Sequence, residues 1–142
     1  MRFTAHFTLE ADFPSAIHAP PEVISAIRLL CEEVLEPLRA YVGRPVIVIS
    51  GWSASKAHVP DSQHGRGEAA DIDVPGMTSP EICRALLLSG ARFDQAIWYD
   101  APDHHLHVSF TRRRKLRGEG LHRTPETETG YTLANPPGVT RA

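Results

Sequence analysis

The segment 62–71 constrains the fold more than any other part of the chain, because it has the composition of a tight turn that runs directly into a strand. Gly65 and Gly67 let the backbone turn sharply and come close to whatever the loop surrounds. His64 and Asp71 place an imidazole and a carboxylate on the same short unit. A lone residue of either type in such a loop is usually a solvated turn former. Whether His64 and Asp71 form part of a functional site therefore depends on further candidate ligands elsewhere in the chain.

A second patch, residues 103–109, is dense in histidine. It has the pattern of a turn followed by a strand, in which side chains two positions apart share a face. His105 and His107 can therefore address the same pocket. His64, Asp71 and His107 form a set of N and O ligands that leaves a fourth position to water, which is the pattern of a catalytic zinc site. The spacing predicts a metal site, although such a set is less specific than paired cysteine motifs.

The strand after the first turn is predicted over 69–74, where charged and apolar residues alternate. Asp71 and Asp73 lie on one face by the period of two. Asp71 is the predicted ligand. Asp73 is either an acceptor for a hydrogen bond from a ligand imidazole or a surface charge, and the sequence leaves both interpretations open.

Composition and charge define the class of protein. The chain has 142 residues, of which 42% are hydrophobic and 23% are charged, and this fits one soluble globular domain. A formal net charge of -2 gives no general attraction to nucleic acid or membranes. No run is long and apolar enough to span a bilayer, and the N-terminus lacks the apolar core of a secretory signal. We therefore expect a chain that is made in the cytoplasm.

Hydrophobic periodicity predicts two helices and a buried strand between them. The longer helix is predicted over 20–42, and Pro37, which lacks a backbone donor, should kink or break it. The run 45–50 is continuous and β-branched, so we predict a buried central strand. A second helix is predicted to begin with Ser79 as its N-terminal cap.

The other patterns are weaker. Residues 1–19 are predicted to form an extended arm with apolar anchors, because prolines disfavour a helix there. Two strands, 94–99 and 105–110, are separated by a polar turn and should form a hairpin. Cys31 and Cys83 fall inside helical patterns and are predicted to be buried free thiols.

The C-terminal part of the chain changes in character. Residues 112–117 are a basic run, which usually marks a solvated strand end. Binding of an anionic cell-wall polymer or of nucleic acid is the alternative interpretation. Residues 118–142 are polar and rich in proline, threonine and glycine, so we predict a partly disordered tail. The expected organisation is therefore one domain over 1–117 followed by the tail.

The two patches together resemble the M15 family of zinc peptidases. The pattern is Ser62-x-His64-x-x-Gly67-x-Ala69-x-Asp71 followed by His105-x-His107-Val108-Ser109. This family includes D-Ala-D-Ala carboxypeptidases and murein peptidases of phages and bacteria, and the compact phage type is the most similar branch. The resemblance extends over most of the chain ahead of the predicted tail.

The resemblance implies one zinc ion held by His64, Asp71 and His107. It implies an α+β fold in which a small antiparallel sheet is backed by helices, similar to the Hedgehog signalling domain and the D-Ala-D-Ala peptidases. The implied substrate is the peptidoglycan stem peptide, cut by a carboxypeptidase or an endopeptidase, and a phage-type protein would be released to the cell wall. Ser62 occupies a position where the family contacts substrate.

The resemblance also implies a general base three residues before the last zinc histidine. That position is His104, flanked by Asp103 and His105, and each of the three is a candidate. His105 is alternatively a hydrogen-bond donor to the tetrahedral oxyanion. The family usually has an arginine where this chain has Ser53. An inactive relative that binds cell walls or a protein partner is therefore the alternative function, and nucleic-acid binding is a weaker one.

Overall fold

The computed structural model describes residues 1–56, 62–100, 102–123 and 131–139, and these form the predicted α+β fold. The helices are α1 (Leu9–Asp12), α2 (Pro21–Leu30), α3 (Glu36–Val42) and α4 (Ser79–Leu88), with a π-helical turn at Cys31–Leu35. The strands are β1 (Ile47–Ser50), β2 (Ala69–Asp73), β3 (Gln95–Trp98), β4 (His105–Ser109), β5 (Glu119–Arg123) and β6 (Tyr131–Leu133).

The described strands form one sheet in the order β1-β2-β4-β3-β5-β6. The predicted hairpin is present, since β3 and β4 pair antiparallel. The sheet differs from the expected antiparallel arrangement at one place, because β3 and β5 run parallel. A parallel neighbour requires a connection that crosses the sheet, and here it includes β4 and the basic run, which ends at residue 117.

The core lies between the helices and one face of the sheet. Alternate residues of a strand point to opposite faces, and Ala70, Ile72, Leu106 and Val108 are completely buried on the helix side. The helices contribute the following fully buried side chains: Ile27, Leu30, Val34, Leu35, Leu38, Ile82 and Leu86. The other face of β2, β4 and β3 therefore carries most of their polar residues, together with Ile97.

The long helix continues past Pro37, and the predicted kink is a π-helical turn. A proline ring crowds the carbonyl four residues earlier and donates no hydrogen bond to it. That carbonyl belongs to Glu33, and it accepts a hydrogen bond from the backbone N–H of Arg92 at 3.2 Å. The helix then ends at Gly43, whose φ of 67° lies in the left-handed region.

The structure corrects the prediction of a buried central strand at 45–50. β1 is an edge strand, and the side chains of Ile47 and Ile49 are 47% and 58% exposed. Val46 is buried just ahead of it. A short β-branched run fits an edge strand as well as a central one, and its periodicity does not distinguish them.

The N-terminal arm is also corrected, because it folds back instead of extending. Arg2 forms a β-bridge with Thr8, and the Thr8 hydroxyl accepts a hydrogen bond from Ala11 N as the cap of α1. The prolines that disfavour a helix begin only at Pro14, after α1 has ended. The aromatic anchors of the arm are buried as predicted: Phe3, Phe7 and Phe13.

The cap of α4 is Thr78 and not Ser79. The Thr78 hydroxyl accepts a hydrogen bond from Glu81 N at 3.4 Å, and the Glu81 carboxylate accepts one from Thr78 N at 2.8 Å. This reciprocal pair is a capping box. The Ser79 hydroxyl instead donates to the carbonyl of His105 at 2.6 Å and accepts from Tyr99 N at 3.0 Å. Ser79 therefore ties β3 to β4.

The predicted tail contains two strands, which corrects the expectation of disorder over part of its length. β5 pairs with β3, and the Trp98 indole Nε1 donates to the Ala134 carbonyl at 2.9 Å. Backbone pairing with a buried strand stabilises β5, so the sequence of β5 needs little apolar pattern. Residues 124–130 and 140–142 lie outside the described residues.

Two further sequence predictions concern buried groups and membranes. Cys31 and Cys83 are free and buried, as predicted. Burial raises the pKa of the Cys83 thiol to about 12, so this side chain packs as an apolar group. In the part of the chain that the structure describes, no helix has the length and apolar character needed to cross a membrane.

Candidate metal centre

Three neighbouring strands place polar residues in rows on the face of the sheet that the helices leave uncovered. Asp71 of β2 lies opposite His107 of β4, which lies opposite Ile97 of β3. The next row begins with Asp73 opposite His105. Residues directly opposite each other on adjacent strands have their Cβ atoms about 5 Å apart. The strand pairing therefore brings the patch at 62–71 next to the patch at 103–109.

The turn that holds His64 packs closely against α2. It is a single 3₁₀ turn, His64–Arg66, and it ends at Gly67 with a φ of 76°. A Cβ atom at Gly67 would lie 2.6 Å from the carbonyl oxygen of Val23. Both the left-handed backbone and the close approach require glycine. Gly67 therefore lets the turn that holds His64 pack directly against α2.

A backbone hydrogen bond selects the tautomer of His64. Its Nδ1 lies 2.9 Å from the carbonyl oxygen of Gly51. A carbonyl only accepts, so Nδ1 bears the hydrogen and Nε2 retains its lone pair. Nε2 lies 3.7 Å from Oδ2 of Asp71. His64 is therefore oriented to offer Nε2 to a metal shared with Asp71.

His107 approaches the same carboxylate from the neighbouring strand. Its Nδ1 lies 3.1 Å from Oδ1 of Asp71. One ligand atom from each of His64, Asp71 and His107 lies within 4.8 Å of the other two. Ligand atoms on a tetrahedral zinc ion are about 3.4 Å apart, given bonds of about 2.0–2.2 Å. Small side-chain shifts are enough to bring these three to a common ion.

The charge of Asp71 also suits a cation. Burial favours the neutral acid, but the hydrogen bond from His107 and the nearby imidazoles of His107, His64 and His105 outweigh that effect and lower the pKa of Asp71. Asp71 is therefore an ionised carboxylate at neutral pH. Two imidazoles and one carboxylate form a donor set that could hold a divalent metal ion.

An open cavity of about 410 Å³ lies over this group. Its described lining is polar except for one isoleucine and comprises Ser62, Gln63, His64, Asp71, Gln95, Ile97, Tyr99 and His107. Ser62 lines the cavity, and its hydroxyl accepts a hydrogen bond from Gly65 N at 3.3 Å.

The three predicted proton acceptors lie in different surroundings. None of the three belongs to the described lining of the cavity, and Asp103 and His104 are exposed. His105 is half-buried, and its ring centroid lies 4.3 Å from that of Tyr99. Asp73, in the same row as His105, has a buried Oδ1 that makes no hydrogen bond with the described residues. Asp73 is thus neither bonded to a ligand imidazole nor a plain surface charge.

The basic run supports the turn that holds His64 through the buried carboxylate of Asp94. Asp94 is fully buried, and its two carboxylate oxygens accept hydrogen bonds from the guanidinium groups of Arg114 and Arg117 at 2.7–3.1 Å. Asp94 also accepts from Nε2 of Gln63 at 3.2 Å. Gln63 precedes His64, so this carboxylate links the basic run to the ligand turn.

A second buried carboxylate anchors the other end of the turn. Glu68 is 6% exposed, and it accepts hydrogen bonds from Arg66 at 2.9 Å, Thr111 at 2.8 Å and Arg113 at 3.4 Å. Three arginines of the basic run are therefore paired with buried acids. The sequence predicts a solvated strand end or an anion-binding segment here, whereas the structure shows ion pairs to buried acids.

Sequence reasoning also missed three residues around the cavity. Gln95 and Tyr99 line it, and the period of two along 94–99 could have placed them beside Ile97 on the site face. Trp52 donates from Nε1 to the carbonyl of Gly65 at 3.1 Å and so supports the ligand turn. No sequence signal pointed to this contact.

Comparison with known proteins covers the same region. A family model described as Peptidase M15 matches residues 7–109. The matched region runs from ahead of α1 to the end of β4, and it includes all three candidate ligands. No curated protein matches the chain.

Proposed function

Because the chain belongs to the peptidase M15 family, we propose that it is a zinc-dependent peptidase that hydrolyses peptide bonds in peptidoglycan stem peptides. Either a D-Ala-D-Ala carboxypeptidase or a murein endopeptidase fits this proposal. Family membership supports a peptide substrate and a hydrolytic reaction. The observation that supports the proposal most directly is the convergence of His64, Asp71 and His107 beneath an open polar cavity.

The donor set fits zinc. His64, Asp71 and His107 supply two nitrogens and one oxygen, which leaves one tetrahedral position for water or substrate. When bound, zinc supplies Lewis acidity that lowers the pKa of water to about 7 and polarises the scissile carbonyl. The carbonyl of Gly51 holds His64 in the tautomer that this role requires. Ser62, on the cavity wall, is the proposed hydrogen-bonding partner of the substrate.

Hydrolysis also requires a group that moves a proton, and His105 is the best supported of the three candidates. It shares a face of β4 with His107, is half-buried and packs on Tyr99 of the cavity lining, whereas Asp103 and His104 are exposed. An imidazole nitrogen of His105 would accept a proton from the attacking water and return it to the leaving amine.

Metal analysis after mild purification tests the metal site. The variants are His64→Ala and Asp71→Ala, and the matched control is His18→Ala, which removes an exposed histidine. We expect about one zinc per chain in the wild type and the control, and loss of zinc in the two site variants. A wild type without stoichiometric zinc, or site variants that retain it in full, would refute the proposed site.

An inactive relative that binds cell walls or a protein partner remains the second candidate. It is favoured by one observation: within the described cavity lining, Asp71 is the sole carboxylate. Zinc-loaded protein incubated with purified peptidoglycan or a D-Ala-D-Ala peptide separates the two functions. Release of new amines that a chelator abolishes supports the peptidase. Co-sedimentation with the wall without amine release supports the binding module.

A further inference from the structure

We propose that a second cavity of this protein binds an anionic phosphodiester polymer of the cell wall. This cationic cavity has a volume of about 750 Å³ and is lined by α2, the π-helical turn, the segment before β3 and the basic run. Its described lining shares no residue with that of the cavity over the metal ligands. Binding there would hold the protein beside its peptide substrate, and this role rests on the proposed function.

Positive charge is concentrated around the cationic cavity. Its described lining contains four cationic side chains and one carboxylate: Arg92, Arg112, Arg114, Lys115 and Glu33. The whole chain has a formal net charge of -2, so this excess of positive charge is local. A cavity lined by charges of one sign raises the local concentration of ions of the opposite sign.

The ion pairs of the described residues leave part of this charge uncompensated. Arg112 and Lys115 are exposed, and neither side chain makes a hydrogen bond or an ion pair with any described residue. Arg92 lies 3.6 Å from the Glu33 carboxylate, which is too far for a hydrogen bond. Its guanidinium lies 5.9 Å from the ring centroid of Phe110, and this contact keeps it on the cavity wall. An anion in the cavity would therefore relieve repulsion among like charges.

The backbone that carries Arg112 and Lys115 is held in place from the protein side. Arg113 donates to Glu68 from Nε at 3.4 Å and to Thr111 Oγ1 from its backbone N–H at 3.1 Å. Arg114 binds both carboxylate oxygens of Asp94 at 2.8 Å. The inward arginines thus anchor the positions next to each exposed cation. Such preorganisation lowers the entropy cost of binding a ligand.

The size and lining of the cavity favour a polymer without bases or other aromatic groups. About 750 Å³ is room for roughly 25 water molecules, far more than one small anion needs. Single-stranded nucleic acids require aromatic faces on which bases stack. The aromatic residues of the described lining, Phe93 and Phe110, are only 6% and 5% exposed. Arginine and lysine both bind phosphate, so a chain of polyol phosphates matches this cavity better than a nucleic acid.

Calorimetry with a short oligomer of glycerol phosphate tests this inference. The test variant carries Arg112→Gln and Lys115→Gln together. The matched control carries Arg44→Gln and Arg84→Gln, which removes two exposed arginines from a different cavity and changes the net charge equally. We expect the test variant to bind at least about tenfold more weakly than the wild type. The control should stay within about twofold, because distant exposed charges are screened by salt.

Salt dependence and other polymers show what the cavity recognises. The slope of log affinity against log salt concentration should become shallower by about one for each cation removed. No binding of the oligomer by the wild type, or equal weakening in the test variant and the control, overturns the inference. Tighter binding of oligothymidylate would assign the cavity to nucleic acid, and equal binding of polyglutamate would reduce it to a general anion site. Either result also overturns the proposal.

The same variants separate this inference from the proposed function. Amine release from peptidoglycan that retains its phosphodiester polymer should be slower in the test variant, whereas release from a free D-Ala-D-Ala peptide should match the wild type. If the wild type releases amines but does not bind the oligomer, the inference is overturned and the function stands. If it binds the oligomer through Arg112 and Lys115 but releases no amine, the function fails and the binding site stands.

Discussion

Replacing Asp94 by asparagine should destabilise the folded chain by about 3 kcal/mol, at the low end of the cost of breaking a buried ion pair. Asp94 is fully buried and binds two guanidinium groups. An asparagine of the same shape leaves Arg114 and Arg117 without their carboxylate. These arginines are 41% and 39% exposed, so water can solvate them in part. For this reason we place the cost at the low end.

Urea denaturation and thermal melting measure this cost. A loss of about 3 kcal/mol should lower the melting temperature by roughly 10 °C for a domain of this size. Glu32→Gln is the matched control, because Glu32 is exposed. Substitutions of exposed side chains usually change stability little, so the control should stay within about 0.5 kcal/mol of the wild type.

The pH dependence gives the prediction a second signature. Burial opposes ionisation of Asp94, but the hydrogen bonds from Arg117 and Arg114 outweigh it and hold the pKa of this carboxyl well below its usual range. The folded state is therefore stabilised at every pH above the unfolded pKa of about 3.9. This contribution is lost as the pH falls toward the folded pKa, and Asp94→Asn should lose less stability over that acid range than the wild type.

Asp94→Asn should also weaken zinc binding, because Gln63 loses its carboxylate partner next to His64. A destabilisation below about 1 kcal/mol, or an acid dependence of stability identical to that of the wild type, would contradict the argument. Either result would mean that the two arginines are not held by this buried charge.

Three further predictions concern the turn, the helix cap and the metal. Gly67→Ala should cost about 1–3 kcal/mol in urea denaturation, since it forces a side chain into a left-handed backbone beside α2; no loss would contradict the packing of this turn. Thr78→Ala should cost about 1 kcal/mol while leaving zinc content unchanged, and loss of zinc would contradict its role as a cap alone. Zinc affinity measured with a competing chelator should fall as pH is lowered from about 7.5 to about 5.5, because His64 and His107 bind only when unprotonated; a constant affinity would contradict imidazole ligation.

The candidate ligands His64, Asp71 and His107 could be proposed from the sequence because the position of each side chain is set by its own turn or strand. The glycine turn fixes His64, and the period of two fixes Asp71 and His107 on strand faces. The period of two also puts Tyr99 on the site face. A tyrosine at a strand end has no distinctive spacing, however, and its place in the cavity lining follows from the strand register.

The failures have a common physical origin in contacts between distant segments. β1 has the composition of a central strand, but the order of the sheet puts it at the edge. The basic run has the composition of a solvated segment, yet its arginines pair with Asp94 and Glu68, which are buried by other parts of the chain. β5 has little apolar pattern and is a strand because β3 offers it a parallel partner. Composition along the chain does not encode any of these partners.

The central claim is that His64, Asp71 and His107 bind one zinc ion together. Anomalous diffraction at the zinc edge, from crystals of protein purified without added chelator, tests it most directly. We predict a single strong peak at about 2.0–2.2 Å from a nitrogen of each histidine and from an oxygen of the aspartate. A peak located elsewhere on the chain, or no peak at these three side chains in zinc-loaded crystals, would contradict the account.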